Sequence, residues 1–170
     1  MKLLKVITIL FIFFGNVPFR NFVYADIKNP EDYKVFSNDK KLSVSNVGDF
    51  LKEGDKFINN GDFENAKNSY QDARKLAKQL ASFYSDLNKA FKGVDARIPD
   101  EMQRKGKETL KILAESNGRL ATLYIKNEKP DVAVPLLVEI IRIMSPNSSE
   151  GKEAYEKLIQ LGFAETKYKG

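Results

Sequence analysis

Cysteine and histidine are both absent from the 170 residues. Without cysteine there is no thiol nucleophile and no disulfide framework, so any folded core must hold together by packing alone. Without histidine there is no imidazole base, no Ser-His dyad and no usual zinc site. Carboxylates, Lys, Tyr and Ser/Thr are the chemical groups that remain. The pairs Glu64/Asp72 and Glu150/Glu153 have helical spacing, but Glu on a helix is ordinarily a surface residue. No catalyst, metal ligand or cofactor is assigned, and the chain is expected not to be an enzyme.

Cationic surface is also scarcer than the formal charge of +5 implies. Lys2, Lys5 and Arg20 supply three of the 28 basic residues, and no acidic residue precedes Asp26, so residues 26–170 carry +2. A nucleic-acid partner, which requires concentrated positive charge, is not expected. The densest basic run, Arg97, Arg104, Lys105, Lys107 and Lys111, is interleaved with Asp100, Glu101 and Glu108 at spacings that pair along a helix. It reads as a solvated, self-paired face, with no aromatic stacking platform beside it.

The chain begins MKLLKVITILFIFFGNVPFRNFVYA, which combines an early basic pair, an apolar run from Val6 to Phe14 and Val-Tyr-Ala. That order reads as a secretory leader: the apolar stretch counted from Leu3, interrupted by Lys5, is about a dozen residues, whereas a spanning helix needs roughly 20. Residues 1–25 are therefore expected to be removed after Ala25 and the protein exported, to a periplasm or thylakoid lumen. The alternative is an uncleaved N-terminal anchor extended by Val17, Phe19, Phe22 and Val23. Residues 26–43 are polar and unperiodic, a flexible arm in which Tyr33, Val35 and Phe36 are the residues able to dock.

From Val44 the apolar residues adopt helical spacing, and about five helices are expected over residues 44–163, with a solvated tail at 164–170. The first ends near Asn59, where Gly61 suits a helix stop and Asp62 a helix start. The second starts at Phe63 and meets no Gly or Pro up to Lys92, which allows about 30 residues unless it breaks near Ser82 or Ser85. A third follows Pro99-Asp100-Glu101, runs through Leu113 and Leu120, and stops around Asn127. Asn117 interrupts its apolar stripe and is expected to bond across a helix interface. PDVAVPLLVEIIRIM is a fourth, expected to begin late or bend at Pro135. A fifth is capped by Ser148 or Ser149 and closed at Gly162, with Phe163 making the hydrophobic contact of that closure.

Phe50, Gly54, Phe57, Gly61, Asp62, Phe63, Ala66, Tyr70 and Ala73 place small residues where two helices cross and aromatics beside them. This pattern resembles the tetratricopeptide repeat. Glu53, where Leu is usual, and Lys78, where Pro is usual, depart from it. A weaker copy runs through Leu120, Ala121, Tyr124, Pro130, Ala133, Leu137 and Ile140. Ala66 and Ala133 are 67 residues apart, near twice the family's period of about 34 residues. Residues 80–113 lack the signature, so the middle repeat reads as degenerate, an extended second helix packed on an extended third. The resemblance implies an all-α array of antiparallel helical hairpins with a C-terminal capping helix. It also implies a groove that holds a peptide or a partner helix. On this numbering the groove residues are Leu51, Asp55, Ile58 and Asn59, then Glu115, Gly118, Thr122, Ile125 and Lys126. The whole also resembles small exported proteins of this type from photosynthetic bacteria, some of whose relatives help assemble membrane complexes. The implied function is a non-catalytic scaffold for a protein or peptide partner, in the setting of a membrane-associated complex. The competing reading is a helical bundle that binds a small apolar ligand or lipid.

The leader generates one test. N-terminal sequencing of the protein recovered from its own cell is expected to begin at Asp26, and retention of Met1 would overturn the cleavage.

Overall fold

The computed structural model describes residues 42–169. Their regular structure is helical throughout, with no strand among the described residues: α1 Val44–Asn59, α2 Phe63–Phe91, α3 Arg97–Lys126, α4 Pro130–Met144 and α5 Ser149–Gln160. The expected leader and nearly all of the arm fall outside the described residues.

Each helix boundary has a local cause. Ser43 Oγ accepts a hydrogen bond from the Asn46 amide at 3.1 Å and starts α1. At its far end Gly61 takes φ +75°, and its amide bonds to Ile58 O at 3.0 Å while the Asp62 amide bonds to Phe57 O at 2.9 Å. Those two bonds are the Schellman closure, and the positive φ is why glycine stands there. Asp62 Oδ1 in turn accepts from the Asn65 amide at 3.1 Å and caps α2. The same pair of closing bonds ends α3, where Glu128 takes φ +55°, and α5, where Gly162 takes φ +72°. Phe163 departs from expectation: the backbone closure forms, but the ring is 63% exposed and makes no sealing contact.

Helices α2 and α3 are 29 and 30 residues long, against 16, 15 and 12 for the others. Helix α2 continues through Ser82 and Ser85 without a break. Helix α3 begins at Arg97, two residues before Pro99, whose missing amide falls in the first turn where amides have no helical partner. The expected late start of α4 is corrected. The helix begins at Pro130 and contains Pro135 in its sixth position. An interior proline costs about 3 kcal/mol, but Leu136, Leu137 and Ile140 are all buried. Burial of one such side chain stabilises by about 1.5–3 kcal/mol, so packing outweighs the lost backbone bond.

The core lies where these helices cross, and alanine makes the closest approaches. Ala66, Ala73, Ala77, Ala121 and Ala133 are fully buried, with Val47, Leu51, Leu120, Leu137 and Leu158 packed around them. Hydrogen bonds join Gln71 to Tyr124, Arg74 to Asn117 and Asn88 to Pro99, so residues early in α2 meet residues late in α3. Two contacts set α3 directly against α1. A Cβ on Gly48 would lie 3.9 Å from Ile112 Cδ1, and Arg119 bonds to Asp55; both pairs are 64 residues apart. No separate helix pair therefore stands between α2 and α3. The unsigned middle of the sequence forms instead the far half of α2 and the near half of α3, and between residues 81 and 108 Met102 alone is buried.

Two glycines are required by close approach. A Cβ on Gly54 would lie 2.4 Å from Tyr70 Cε1, and the Tyr70 ring, 3% exposed, is fixed by its hydroxyl's 2.6 Å bond to Asp55. A Cβ on Gly151 would lie 2.0 Å from the Ser145 carbonyl oxygen. That oxygen is held in place because it accepts bonds from both the amide and the hydroxyl of Ser148. Of the motif's aromatics, Tyr70 is buried, Phe50 and Phe57 are half-buried, and Phe63 is 47% exposed, so Phe63 fills no gap.

Glycine in a helix interior is about 1 kcal/mol poorer than alanine, and overpacking costs about 1–3 kcal/mol or more. The clash therefore outweighs the propensity gain. Gly54→Leu and Gly151→Ala are each expected to lower the melting temperature, with Gly54→Leu the more disruptive. A melting curve for Gly54→Leu matching that of the wild type would contradict the packing described.

Candidate functional site

The described residues form an open cavity of about 560 Å³ walled by α1, α3 and α5, with residues of α2 and α4 contributing below. Helix α3 supplies its central wall. Lys111, Ala114, Glu115, Gly118, Arg119, Thr122, Leu123 and Lys126 recur at three- and four-residue steps, so one helical face is presented to it. Ile58 closes one side from α1, and Glu150, Glu153, Ala154 and Lys157 close the other from α5. Buried Leu123, Leu137, Ile140 and Ala154 are the apolar part, whereas Lys111, Glu115, Thr122, Lys126 and Glu153 are exposed. The result is an apolar-floored groove with a charged, solvent-facing rim.

Of the expected groove residues, Ile58, Glu115, Gly118, Thr122 and Lys126 line this cavity. Three others are corrected. Leu51 is 3% exposed and belongs to the core, two turns before Ile58 on the same face of α1. Asn59 is exposed at the end of α1, outside the lining, and Ile125 is half-buried against the core. Asp55 is close by but committed elsewhere. Its Oδ1 accepts from Tyr70 at 2.6 Å and from Arg119 Nε at 3.0 Å, and its Oδ2 accepts from Arg119 Nη2 at 3.1 Å.

Those bonds tie α1, α2 and α3 together beneath one end of the groove. Hydrogen bonding from Arg119 holds the Asp55 carboxyl below its ordinary range, against the opposing effect of burial and with help from Tyr70. Burial, together with the Asp55 carboxylate, pushes the Tyr70 hydroxyl well above its ordinary value and keeps it a hydrogen-bond donor. Burial opposes the charge on Arg119, but its bonds to Asp55 and to Glu115, the latter at 2.7 Å, outweigh that and keep it protonated. Across the opening, Lys157 pairs with Glu153 at 2.7 Å. Among the described residues Lys111 and Lys126 are the rim cations that make no ion pair.

A second polar network lies behind the groove and was only partly visible in the sequence. Asn117, fully buried, accepts from Arg74 Nε at 2.6 Å and donates to Glu139 Oε2 at 3.2 Å. Glu139 also pairs with Arg74 Nη2 and with Lys78 Nζ, each at 2.7 Å. The bond expected of Asn117 across the helix interface is thus present, and it joins α2, α3 and α4. The missed partner had a signal: Glu139 is the sole acid in the apolar run PLLVEIIRIM. Burial raises the Glu139 carboxyl, but hydrogen bonds from Lys78 and Arg74 outweigh it, leaving a net value below the usual glutamate range. No buried side-chain polar atom among the described residues lacks a partner.

Among the described residues no group of three or more metal-ligating side chains converges, and no helix is long and apolar enough to cross a membrane. No family model, curated protein or solved structure matches the chain.

A folded-state pKa below the unfolded one means that Glu139 contributes stability above the ordinary value of 4.5, and loses it as pH falls through the lower folded value. Glu139→Gln is expected to cost about 1–3 kcal/mol at neutral pH, the range for an unpaired buried polar partner. The gap in melting temperature between variant and wild type should close below pH 4.5. A gap that stays constant from pH 7 to pH 3 in paired thermal melts would remove the network's ionic role.

Proposed function

We propose that this chain is a non-catalytic protein-binding module, a tetratricopeptide-like array of antiparallel helices that holds a polypeptide in the groove between α1, α3 and α5. The observation that carries the reading is the groove itself. Its floor is apolar, its rim is charged and solvent-facing, and it is lined by the alternate helices that the repeat pattern assigns to a concave face. Further support comes from the turns. The Schellman closures at Gly61 and Glu128 are 67 residues apart, and those at Glu128 and Gly162 are 34 apart, in keeping with a family period of about 34. On this reading α1–α2 and the second half of α3 with α4 are the two repeats, and α5 is the cap. The degenerate middle repeat is spent on lengthening α2 and α3.

The leader-like composition of residues 1–25 supports an exported compartment, and a membrane-associated complex is the setting in which the module would hold its partner. The competing reading, a small apolar ligand or lipid, gains from the size of the cavity, since about 300–1,000 Å³ suits a small molecule. It loses on the walls. A lipid pocket buries most of its ligand among apolar side chains, and here seven of the sixteen lining residues are Lys, Arg or Glu.

Placing a photo-crosslinking residue at Thr122, inside the groove, and in a second variant at Asp131, outside it, distinguishes the two in the producing cell. Discrete polypeptide adducts from Thr122, lost on adding Ile58→Glu and absent from Asp131, are the expected result. Adducts to lipid alone, or equal adducts at both positions, would overturn the assignment.

A further inference from the structure

We infer that residues 33–36 of this chain cover an apolar face that Phe83 and Leu87 present on the projecting half of α2. Ser69, Leu76, Phe83 and Leu87 follow one another at steps of seven, seven and four, which places them on one face of the helix. Burial along that face changes abruptly. Ser69 and Leu76 are 7% and 8% exposed, whereas Phe83 and Leu87 are each 43% exposed.

What changes is the neighbour. Gly54 packs on Tyr70 and the chain reverses at Gly61, so Val44, ten residues before Gly54, is level with Leu80, ten residues after Tyr70. Leu80 is 3% exposed. Beyond it α2 continues in the same apolar register, but α1 has ended. The interface between α1 and α2 is thus cut short on one side only, and the missing side is where the preceding chain enters. Leu42, at that boundary, is itself 54% exposed.

The segment upstream has the required residues. Between Lys28 and Lys41 the apolar side chains are Tyr33, Val35 and Phe36, clustered within four positions. Seven extended residues from Phe36 to Ser43 span up to about 23 Å, while Leu80 to Leu87 is about 10 Å of helix, so the reach is ample. A tethered segment acts at an effective concentration near millimolar. A second copy would have to assemble an interface of about 800 Å² on each partner, and two half-exposed side chains provide little of it. The observations therefore favour the chain's own arm.

The absence of cysteine makes a direct test clean. In the full chain, Val35→Cys with Ala90→Cys leaves Phe83, Leu87, Tyr33 and Phe36 in place. A disulfide needs Cβ atoms within about 4.5 Å. Mild oxidation is expected to give an intrachain bond between the two positions, formed severalfold faster than in a Val35→Cys, Lys129→Cys control. An interchain bond would assign the face to a second copy and overturn the inference, as would a rate equal to the control. Independently, Phe36→Asp is expected to accelerate amide exchange severalfold over residues 83–90 and to leave residues 113–121 unchanged. Unaltered exchange at 83–90 would overturn the inference as well.

Discussion

The seating of the Tyr70 ring against Gly54 sets the spacing of α1 and α2 and, through Asp55, the placement of α3. A side chain at position 54 would meet the ring at 2.4 Å, so α1 and α2 reach their separation only because glycine is there. At that separation the Tyr70 hydroxyl meets Asp55 at 2.6 Å, and Asp55 then presents both oxygens to Arg119. Arg119 lies on the groove face of α3. A steric fit between two helices is thus converted, through three polar side chains, into the placement of a third. The apolar contact supplies stability, and the bidentate guanidinium pair supplies register, which apolar packing alone specifies poorly.

The same arrangement explains why the groove has the electrostatic character it has. Arg119 would be the strongest anion-binding group on its wall, but it is satisfied by Asp55 and Glu115, and Lys157 is satisfied by Glu153. Most of the rim charge is therefore spent internally, on holding the wall in shape. On the proposed reading, a partner would meet a surface of nearly balanced sign with Lys111 and Lys126 as its cations outside ion pairs, and most of its binding free energy would come from the apolar floor. Strong dependence on salt is not a property such a groove should have, because the pairs that salt screens are already closed.

Sequence reasoning was most successful where one residue type has one physical use. Gly61, Asp62 and Gly162 marked helix ends because positive φ and amide capping admit few residues. Gly54 marked a crossing for the same kind of reason. It failed where packing decides between positions along one helix face. Leu51 and Ile58 are seven residues apart on one face of α1, and only their level along the helix, mid-helix against its end, leaves the first in the core and the second at the groove. Glu128 was invisible as a turn because glutamate is not a usual residue at φ +55°; there the surrounding closure bonds impose the conformation. Pro135 misled for the converse reason, a local penalty overridden by the burial of its neighbours. Arg74 and Glu139 were legible as charges but not as a pair, since 65 residues separate them.

The long α2 and α3 present a problem that the rest of the fold does not solve. Two helices can bury one face each against one another, as Met102 shows, yet an amphipathic helix in a globular protein carries an apolar stripe wider than one neighbour can cover. Nearer the core, α1 lies alongside α2 at Tyr70, on the stretch where Ser69 and Leu76 are buried, and Glu139 of α4 pairs with Arg74 and Lys78. Past Leu80 those two neighbours are gone. The Arg74 and Lys78 side of α2 was already charged, and losing α4 there costs little. The Leu76 side remains apolar through Leu87, and losing α1 there leaves hydrocarbon facing water. The asymmetry means that the projecting pair is built to be covered on one flank and solvated on the other, and the flank to be covered is the one at which the chain arrives.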